Sequence, residues 1–453
     1  MSHPATELYA RHVNPALVRL LGTFGYGRVF TRARDTQMWD SEGRSYVDLL
    51  AAFGAASLGH NPPSLLARMT AALGEELCHL MHVGPQAIAA ELGAALARRL
   101  PALPIAMLSL SGGEAVEAAI KLARAATGRP TIVSCDGGFH GSGLGNLSVM
   151  GFSRWRRPFE PLLPECRRIP FGDLRALERM LARGRIAAFL VEPIQGEAGV
   201  VSAPPGYLRQ AQALCRRHGA LFMLDEVQTG LGRTGRWFGF QHDGELDPDV
   251  VVLGKALGGA LVPVAATVTR RELFDRAYGT SKTFDLHGST YAGYALGCAV
   301  ALQVLRTLDD DGLIEASERK GRRLRDGLRR RLDGHPLVRE VRGHGLMIGI
   351  ELGSTGADWL QRLAPGAVTA VSREVLGQWL SLRLLEAGYI CQPASQAWNV
   401  LKLTPPLTID EPAIDRFIDA VGGIFDEYRE LGRLFADVSR RLAGQYLNEW
   451  EFR

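Results

Sequence analysis

The chain has few cysteines, and none of them has a partner at metal-ligand spacing. Its six cysteines occur without a Cys-x-x-Cys pair. They are Cys78, Cys135, Cys166, Cys215, Cys298 and Cys391. Such scatter argues against a zinc site or a disulfide framework. We therefore expect no metal site and free thiols in a reducing compartment, the cytoplasm.

The chain also lacks a dominant charge and a long apolar run. Its 52 basic and 48 acidic residues leave a net charge of +4, and the basic stretches at 154–159 and 321–334 are interpreted as solvated faces. The longest uncharged stretch near Lys255 falls short of the roughly 20 residues that span a bilayer. Residues 1–22 lack a basic segment followed by a long apolar core. We expect no nucleic-acid partner, no membrane partner and no signal peptide.

Apolar strand-like runs alternate with helix-like segments along much of the chain. Runs at Ala187–Glu192, Ala220–Asp225 and Val250–Leu253 resemble buried strands, and Tyr207–His218 resembles a helix. This alternation predicts an α/β fold with a parallel sheet covered by helices on both faces. With 46% hydrophobic residues, 453 residues suffice for two domains of ordinary size.

Two of these runs end beside one ionisable side chain. Asp225 closes one run, and Lys255 follows the other before a glycine-rich stretch. Strand ends at the carboxyl edge of an α/β sheet are where ligands bind. A lysine there is able to form a Schiff base with a carbonyl cofactor, and a carboxylate to hold a protonated ring nitrogen. Taken alone, each residue is more simply a surface lysine or a helix-capping acid.

A glycine turn lies upstream, between a strand from Met107 to Leu110 and a helix from Glu114 to Thr127. Ser111 and Glu114 have capping-box spacing, which is also typical of an ordinary helix start. Gly112 and Gly113 would let a phosphate approach backbone N–H groups at the helix N-terminus.

The next predicted strand, Thr131–Ser134, leads through two glycines to Phe139 and His140. An aromatic ring in that place is able to lie against a planar cofactor, or it packs in the core. His140 by itself is as readily a structural histidine.

These four motifs occur together with five others, so that nine blocks follow one another in a family order. The blocks are LGHNPP from Leu58, SGGEAVEAAIKLAR from Ser111, FHG from Phe139, VEPIQGEAGV from Val191, LDEVQTGLGRTG from Leu224, LGKALGGALVPVAA from Leu253, HGSTYAGYALGCAVAL from His287, RGHGLMIGIEL from Arg342 and LKLTPPLTI from Leu401. In them the chain resembles the class III, fold type I, pyridoxal-phosphate aminotransferases, the group of ornithine, acetylornithine, putrescine and 4-aminobutyrate aminotransferases.

The resemblance implies a mostly parallel seven-stranded sheet with helices on both faces, plus a smaller α+β domain. It divides the chain into an N-terminal segment at 1–56 that contributes to the small domain, a large cofactor-binding domain at 57–320 and a C-terminal small domain at 321–453. The small domain would include a helix from Glu411 to Leu431.

The resemblance also assigns roles around pyridoxal 5'-phosphate. Lys255 would carry the internal aldimine and shuttle a proton, and Asp225 would keep the ring nitrogen protonated. Val227 and Phe139 would pack on the two ring faces, with Gln228 at the phenolic oxygen. Thr290 would bind the phosphate of the neighbouring subunit, which implies a homodimer. The cofactor-binding set is Ser111, Gly112, Gly113, Phe139, His140, Glu192, Asp225, Val227, Gln228, Lys255, Ser289 and Thr290.

The substrate residues depart from the family pattern. Ser142 stands where ornithine and acetylornithine aminotransferases usually have the arginine that binds the α-carboxylate of the substrate, and Lys402 replaces a second arginine. Glu197 matches a glutamate that pairs with that second arginine until a keto acid displaces it. The aromatic residues Phe24, Tyr26 and Phe53 complete the predicted substrate pocket.

These departures predict an aminotransferase for a terminal (ω) or otherwise carboxylate-free amine, acting by a ping-pong mechanism. The partner substrate would be a 2-keto acid, pyruvate or 2-oxoglutarate. A decarboxylase, racemase or aminomutase on the same fold remains an alternative, since Lys255 and Asp225 serve all of these reactions. A non-catalytic protein that only binds the cofactor is a third interpretation.

Overall fold

The structure, a computed structural model, describes residues 3–23, 26–353 and 376–428, together with residues 433 and 437. Its helices in these ranges are α1 Pro4–His12, α2 Pro15–Thr23, α3 Ala51–Gly54, α4 Pro63–Gly74, α5 Ala87–Arg99, α6 Gly112–Thr127, α7 Leu144–Val149, α8 Ser153–Arg156, α9 Leu174–Leu181, α10 Tyr207–His218, α11 Arg271–Tyr278, α12 Ala295–Asp310, α13 Leu313–Arg331, α14 Leu376–Glu386 and α15 Glu411–Glu427. Short 3-10 turns cover Arg157–Phe159, Gly239–Asp243 and Lys255–Gly258.

The strands of the same residues form four sheets. They are β1 Phe30–Arg34, β2 Gln37–Asp40, β3 Ser45–Asp48, β4 Ile105–Ser109, β5 Thr131–Cys135, β6 Cys166–Ile169, β7 Ile186–Val191, β8 Ile194–Gln195, β9 Val201–Ser202, β10 Leu221–Asp225, β11 Val250–Leu253, β12 Ala265–Thr269, β13 Val338–His344, β14 Met347–Leu352, β15 Tyr389–Ile390, β16 Gln392–Ala394 and β17 Ala397–Leu403.

The largest sheet has seven strands in the order β4-β12-β11-β10-β7-β5-β6. Only β12 runs antiparallel to its neighbours, and the other pairs are parallel. Alternate residues of each strand enter different cores: Phe222 and Leu224 join one apolar cluster, while Met223 joins the cluster that contains residues of α6. The predicted α/β fold, a mostly parallel seven-stranded sheet with helices on both faces, is confirmed.

A second, antiparallel sheet has the order β13-β14-β17-β16, and a third joins the N-terminal strands β1, β2 and β3 to β15. In the third sheet Tyr389 pairs with Val47 and Ile390 with Asp48. The segment before residue 56 is thereby attached to residues after 376. The division at residues 56 and 320 stays a prediction, and α13 crosses the second boundary. The helix expected from Glu411 is described as far as Glu427, and Leu431 lies outside the described residues.

All six cysteines lie in the described part of the chain as free thiols. Among the described residues, no group of three or more His, Cys, Asp or Glu side chains is placed to hold a metal ion. No helix of this part combines the length and the apolar character that crossing a membrane requires.

Helix α13 packs on the turn between β13 and β14 through a glycine. A Cβ on Gly321 would lie 1.9 Å from the carbonyl oxygen of Gly345, and Gly345 itself has a φ of +50°. The backbones of α13 and of the turn are therefore too close at this point for any side chain on Gly321. This contact fixes the helix against the small antiparallel sheet.

We predict that Gly321→Ala lowers the free energy of unfolding by about 1–3 kcal/mol, because the new methyl group meets backbone atoms that have little room to move. The control is Gly423→Ala on α15, where a Cβ meets no atom within 4 Å. Since alanine is the better helix former, the control should gain up to about 1 kcal/mol. Denaturant unfolding of both variants measures the difference. An equal gain in both would show that α13 does not approach the turn so closely.

Candidate active site

Four chemically active side chains lie where parallel strands of the large sheet end. Asp225 is the last residue of β10, Lys255 comes just after β11, Glu192 follows β7 and His140 lies beyond β5. Parallel pairing brings the carboxyl ends of these strands to one edge of the sheet. Together they line a cavity of about 180 Å³. Its other walls are Gly112, Gly113, Phe139, Gly141, Glu197, Val227 and Gln228.

Asp225 is held in place by two hydrogen-bond donors. Its Oδ2 lies 2.7 Å from His140 Nδ1, and its Oδ1 accepts the Val227 N–H at 3.0 Å. Burial opposes protonation of His140, but the hydrogen bond and negative charge of Asp225, with the charge of Glu192, outweigh it and raise the His140 pKa. His140 therefore acts as a hydrogen-bond donor that orients the carboxylate of Asp225. His140 Nε2 has no hydrogen-bond partner among the described residues.

Lys255 occupies an unusual backbone position between the end of β11 and a 3-10 turn. Its φ is +41°, and the side chain is half-buried in the wall of the cavity. Burial lowers the Lys255 pKa, the cation of Lys402 lowers it further, and the carboxylates of Glu197 and Asp225 oppose the shift. A lowered pKa leaves more of the amine unprotonated, as attack on a carbonyl group requires.

The glycine turn forms the N-terminus of α6 against the opposite wall. Ser111 caps the helix by accepting the Glu114 N–H at 3.2 Å. The carboxylate of Glu114 accepts from Leu110 N–H at 2.9 Å, so the side chain reaches one residue beyond the partner of a standard capping box.

No side chain fits on either glycine of this turn without displacing a neighbour. A Cβ on Gly112 would lie 2.8 Å from Val227 Cγ1, and one on Gly113 3.3 Å from Asn146 Oδ1. Asn146 Nδ2 also donates to the Gly113 carbonyl at 3.0 Å. Gly112 and Gly113 line the cavity at the start of α6, where backbone N–H groups at the positive end of the helix dipole favour an anion.

The backbone of Phe139 is held in place by a carboxylate, that of Glu192. Its N–H donates to Glu192 Oε1 at 2.8 Å, while its ring meets the edge of Trp155 with centroids 5.9 Å apart. Burial raises the pKa of Glu192, and the negative charge of Asp225 adds to this against the cation at His140. The Phe139 ring is thus a rigid apolar wall of the cavity, with Val227 as another.

An ion pair closes one end of the cavity. Lys402 Nζ donates to Glu197 Oε1, and the Lys402 side chain is 0% exposed. The other carboxylate oxygen of Glu197 accepts from the Ser395 N–H at 3.0 Å and from the Ser395 hydroxyl at 2.6 Å. Burial alone would raise the pKa of Glu197, but Lys402 and then Ser395 outweigh it and hold that pKa well below its usual range.

The aromatic ring of Phe53 lies next to the cation of this ion pair. The Lys402 ammonium lies 5.2 Å from the centre of the Phe53 ring, and the ring belongs to a residue that is 39% exposed. Gln228 Nε2 donates to the Phe53 carbonyl at 2.9 Å. Ala51, Ala52 and Phe53 all have φ between +46° and +60°, a strained conformation for residues other than glycine.

Other residues singled out in the sequence lie away from the cavity wall. Ser142 is exposed on the loop after Gly141, and Ser289 and Thr290 are exposed in a separate segment. The Tyr26 hydroxyl donates to the Cys391 carbonyl at 3.2 Å beside a neighbouring cleft. Phe24 lies outside the described residues.

Three residues of the site have no counterpart in the sequence prediction. Asn146 braces the glycine turn, Ser395 holds Glu197 and Trp155 supports Phe139. None of them stands in a recognisable motif. Their roles depend on contacts between distant parts of the chain, so that only folding reveals them.

The chemistry of the residues that line the cavity fits pyridoxal phosphate. It offers an anchored carboxylate for a ring nitrogen, an amine of lowered pKa, two apolar walls and an open helix N-terminus for a phosphate.

Comparison with known proteins gives consistent results. The family model for class-III aminotransferases matches residues 25–425. The aminotransferase PigE of a Serratia species is 36% identical over 457 residues, which are 93% of this chain and 53% of that protein. The chain therefore spans about half the length of that relative.

An acetylornithine aminotransferase from Methanopyrus kandleri is 42% identical over 324 residues, or 70% of this chain and 79% of that protein. Among solved structures, the ornithine aminotransferase from Toxoplasma gondii, with partial occupancy of pyridoxal phosphate at its active site, has a TM-score of 0.79. It is 30% identical, and the match covers 89% of this chain and 92% of that chain.

We predict that Asp225→Asn folds normally and loses at least about a hundredfold in the rate of amino-group transfer, because an amide does not hold a proton on the ring nitrogen. Asp249→Asn is the control: this carboxylate accepts from Phe222 N–H at 2.8 Å in the same sheet but not at the cavity. The control should keep its rate. Single-turnover rates with one amine, with circular dichroism of both variants, measure the effect. A folded Asp225→Asn protein with a near-normal rate would remove Asp225 from this role.

Proposed function

The chain belongs to the class III aminotransferases, a family of pyridoxal-phosphate-dependent transaminases, and we propose that it moves an amino group between a terminal (ω) or carboxylate-free amine and a 2-keto acid. One observation carries this choice of donor: among the described residues, no arginine lines the cavity. Lys402, the cation beyond its wall, is fully buried and already paired with Glu197. The α-carboxylate of an amino acid donor would therefore meet no free cation, whereas a simple amine needs none.

Each wall of the cavity supports one part of this function. The cofactor, when bound, supplies an electron sink for the substrate carbon. Lys255 would provide the amine that holds the cofactor and would carry a proton to or from the substrate carbon. Asp225, oriented by His140, keeps a proton on the ring nitrogen. The N–H groups of Gly112 and Gly113 bind the phosphate, helped by Ser111.

Phe139 and Val227 would hold the ring between their side chains. Gln228 would reach the ring oxygen, although its amide nitrogen donates to the Phe53 carbonyl in this structure. Glu192 acts indirectly, since it positions the backbone of Phe139.

Lys402 is the group proposed to receive the keto acid. While an amine donor is bound, Glu197 neutralises the charge of Lys402. The ion pair therefore presents no net charge to a donor that lacks a carboxylate. A keto acid would displace Glu197 from Lys402. Ser395 would keep two hydrogen bonds to the released carboxylate, which lowers the cost of breaking the pair.

Access to Lys402 requires Phe53 to move, because that ring covers the ammonium group. The strained backbone of Ala51–Phe53 and the exposure of the Phe53 side chain favour such a movement. Pyruvate and 2-oxoglutarate both carry the carboxylate that this exchange needs.

The family match favours transamination over decarboxylation, racemisation or amino-group migration, and over binding without turnover. A transaminase consumes a keto acid to restore its starting state, whereas a racemase or mutase needs no second substrate. Return of the lysine-linked cofactor absorbance on adding pyruvate or 2-oxoglutarate, but not without it, distinguishes these reactions.

We also propose a homodimer in which Thr290 of one subunit binds the cofactor phosphate of the other. Thr290 is exposed and does not line the cavity of its own subunit. Around it, Phe284, Leu286 and Tyr291 are 67%, 58% and 56% exposed. Large apolar side chains clustered on a surface are typical of a subunit interface.

The six free cysteines further support a reducing compartment, the cytoplasm.

We predict that Lys402→Ala raises the KM for the keto acid about 10- to 100-fold. This factor corresponds to the free energy of one hydrogen bond to a charged group. The donor half-reaction should change less, because the amine carries no carboxylate. Lys402→Arg should preserve use of the keto acid. Separate half-reaction kinetics measure both effects.

Two controls accompany this prediction. Lys320→Ala removes a lysine that donates to the Leu407 carbonyl away from the cavity, and it should leave both half-reactions intact. The double variant Lys402→Ala with Glu197→Gln removes the buried charge that the single variant leaves unpaired. Equal losses in both half-reactions, or no loss on the acceptor side in the folded double variant, would exclude Lys402 as the carboxylate partner.

We predict that Lys255→Ala and Thr290→Ala complement each other in mixed dimers. Lys255→Ala should lack turnover and the borohydride-reducible cofactor link, and Thr290→Ala should bind the cofactor weakly. A hybrid dimer then has one site with both groups intact, so that random pairing restores about a quarter of the wild-type sites. Activity and cofactor content after co-expression measure the recovery.

Ser281→Ala removes a hydroxyl group from the same exposed segment and should keep normal cofactor affinity. The absence of any recovery in hybrids of verified composition would show that Thr290 does not act across the subunit boundary.

A further inference from the structure

A second cavity, with a volume of about 570 Å³, opens beside the catalytic one. We call it the side cleft. Most of its surface comes from large apolar side chains supplied by separate parts of the chain. These are Leu20, Leu21, Trp155, Phe159, Pro393 and Trp398.

The side cleft and the catalytic cavity lie next to each other, because side chains that line the cleft contact side chains that line the cavity. Ser395 lines the cleft, and its N–H and hydroxyl donate to Glu197, which lines the cavity. Trp155 lines the cleft, and its ring meets the edge of Phe139, another cavity residue. A molecule that reacts near Lys255 therefore has the cleft as the adjoining space for its remaining atoms.

The far wall of the cleft is held in one conformation. Trp398 Nε1 donates to the Ser395 carbonyl at 3.0 Å, and the Arg154 guanidinium lies 5.4 Å from the centre of the Trp398 ring. Helix α14 packs closely on β17, the strand that carries Trp398, since a Cβ on Gly377 would lie 1.9 Å from the Trp398 carbonyl oxygen. A preformed apolar wall binds an apolar group without first having to become ordered.

The charge of the cleft distinguishes between kinds of amine. Arg154 is the one charged residue in its described lining, and no carboxylate is part of that lining. A second ammonium group, as in a diamine, would lose its hydration there without an anionic partner and would meet the charge of Arg154. A hydrocarbon chain loses nothing and gains from burial.

From these observations we propose that the side cleft holds an apolar chain of the amine substrate, so that long monoamines are preferred over short amines and over diamines. This inference rests on the proposed function, because it assumes that the catalytic cavity accepts an amine. Trp155 and Trp398 would then determine substrate specificity.

The experiment measures the donor half-reaction of the wild-type holoenzyme with n-alkylamines from ethylamine to octylamine, and with α,ω-diamines of the same lengths. Loss of the absorbance of the lysine-linked cofactor gives the second-order rate constant. We expect this constant to rise about fourfold for each added methylene until the cleft is filled, the factor that burial of one methylene provides. Diamines should react at least about tenfold more slowly than monoamines of equal length.

Trp398→Ala should reduce the ratio of the octylamine to the ethylamine rate constant by about tenfold or more, since it removes the largest apolar surface of the wall. The matched control is Trp39→Ala. Trp39 also packs against an arginine, with Arg32 4.0 Å from its ring centre, but it lies on β2 and does not line the cleft. The control should keep the wild-type ratio.

The possible outcomes distinguish a failure of this inference from a failure of the proposed aminotransferase function. If ethylamine reacts and the rate constant does not rise with chain length, the inference is overturned and the proposed function stands. Diamines that match monoamines also overturn it. If Trp398→Ala leaves the ratio unchanged but alters the oligomeric state in size-exclusion chromatography, the cleft is a subunit contact. If no amine of any length reacts, the proposed function fails, and the inference fails with it.

Discussion

The parallel pairing of β10 with β11 is the constraint on which the rest of the site depends. With Asp225 opposite Val252, both strands end at one edge of the sheet, and Lys255 follows within a few residues. The neighbouring strands β7 and β5 end at the same edge and lead to Glu192 and His140. A shift of this register would separate an acid and an amine that are 30 residues apart in sequence.

Around that edge, buried charges are arranged in partnered sets. Asp225 is matched by His140, and Glu197 by Lys402, which holds the pKa of Glu197 below its usual range although burial would raise it. Lys255 lies between these sets, its side chain has no hydrogen bond among the described residues, and burial lowers its pKa. The same desolvation that makes the paired groups rigid therefore leaves the amine reactive.

The sequence predicted the strands and the ends that carry chemistry, because buried apolar runs and the residues after them are local signals. The predicted Ala220–Asp225 is Leu221–Asp225 in the structure. The antiparallel direction of β12 was not predicted, since periodicity does not encode strand direction. Ser395 was missed because it meets Glu197 across 198 residues. The exposed position of Ser142 likewise depends on how its loop folds back, which spacing in the sequence does not report.

The short pairing between β3 and β15 also sets an order of events during synthesis. Strand β3 is made early, but its parallel partner, Tyr389–Ile390, emerges from the ribosome more than 300 residues later. Until then the edge of β3 has no partner from this sheet, and exposed strand edges invite pairing with other chains. The strained segment that carries Phe53 directly follows β3, so the cover over Lys402 would be among the last parts of the molecule to form. A nascent chain would thus complete the sheet edge that carries Asp225 and Lys255 well before the segment that carries Phe53 is fixed in place.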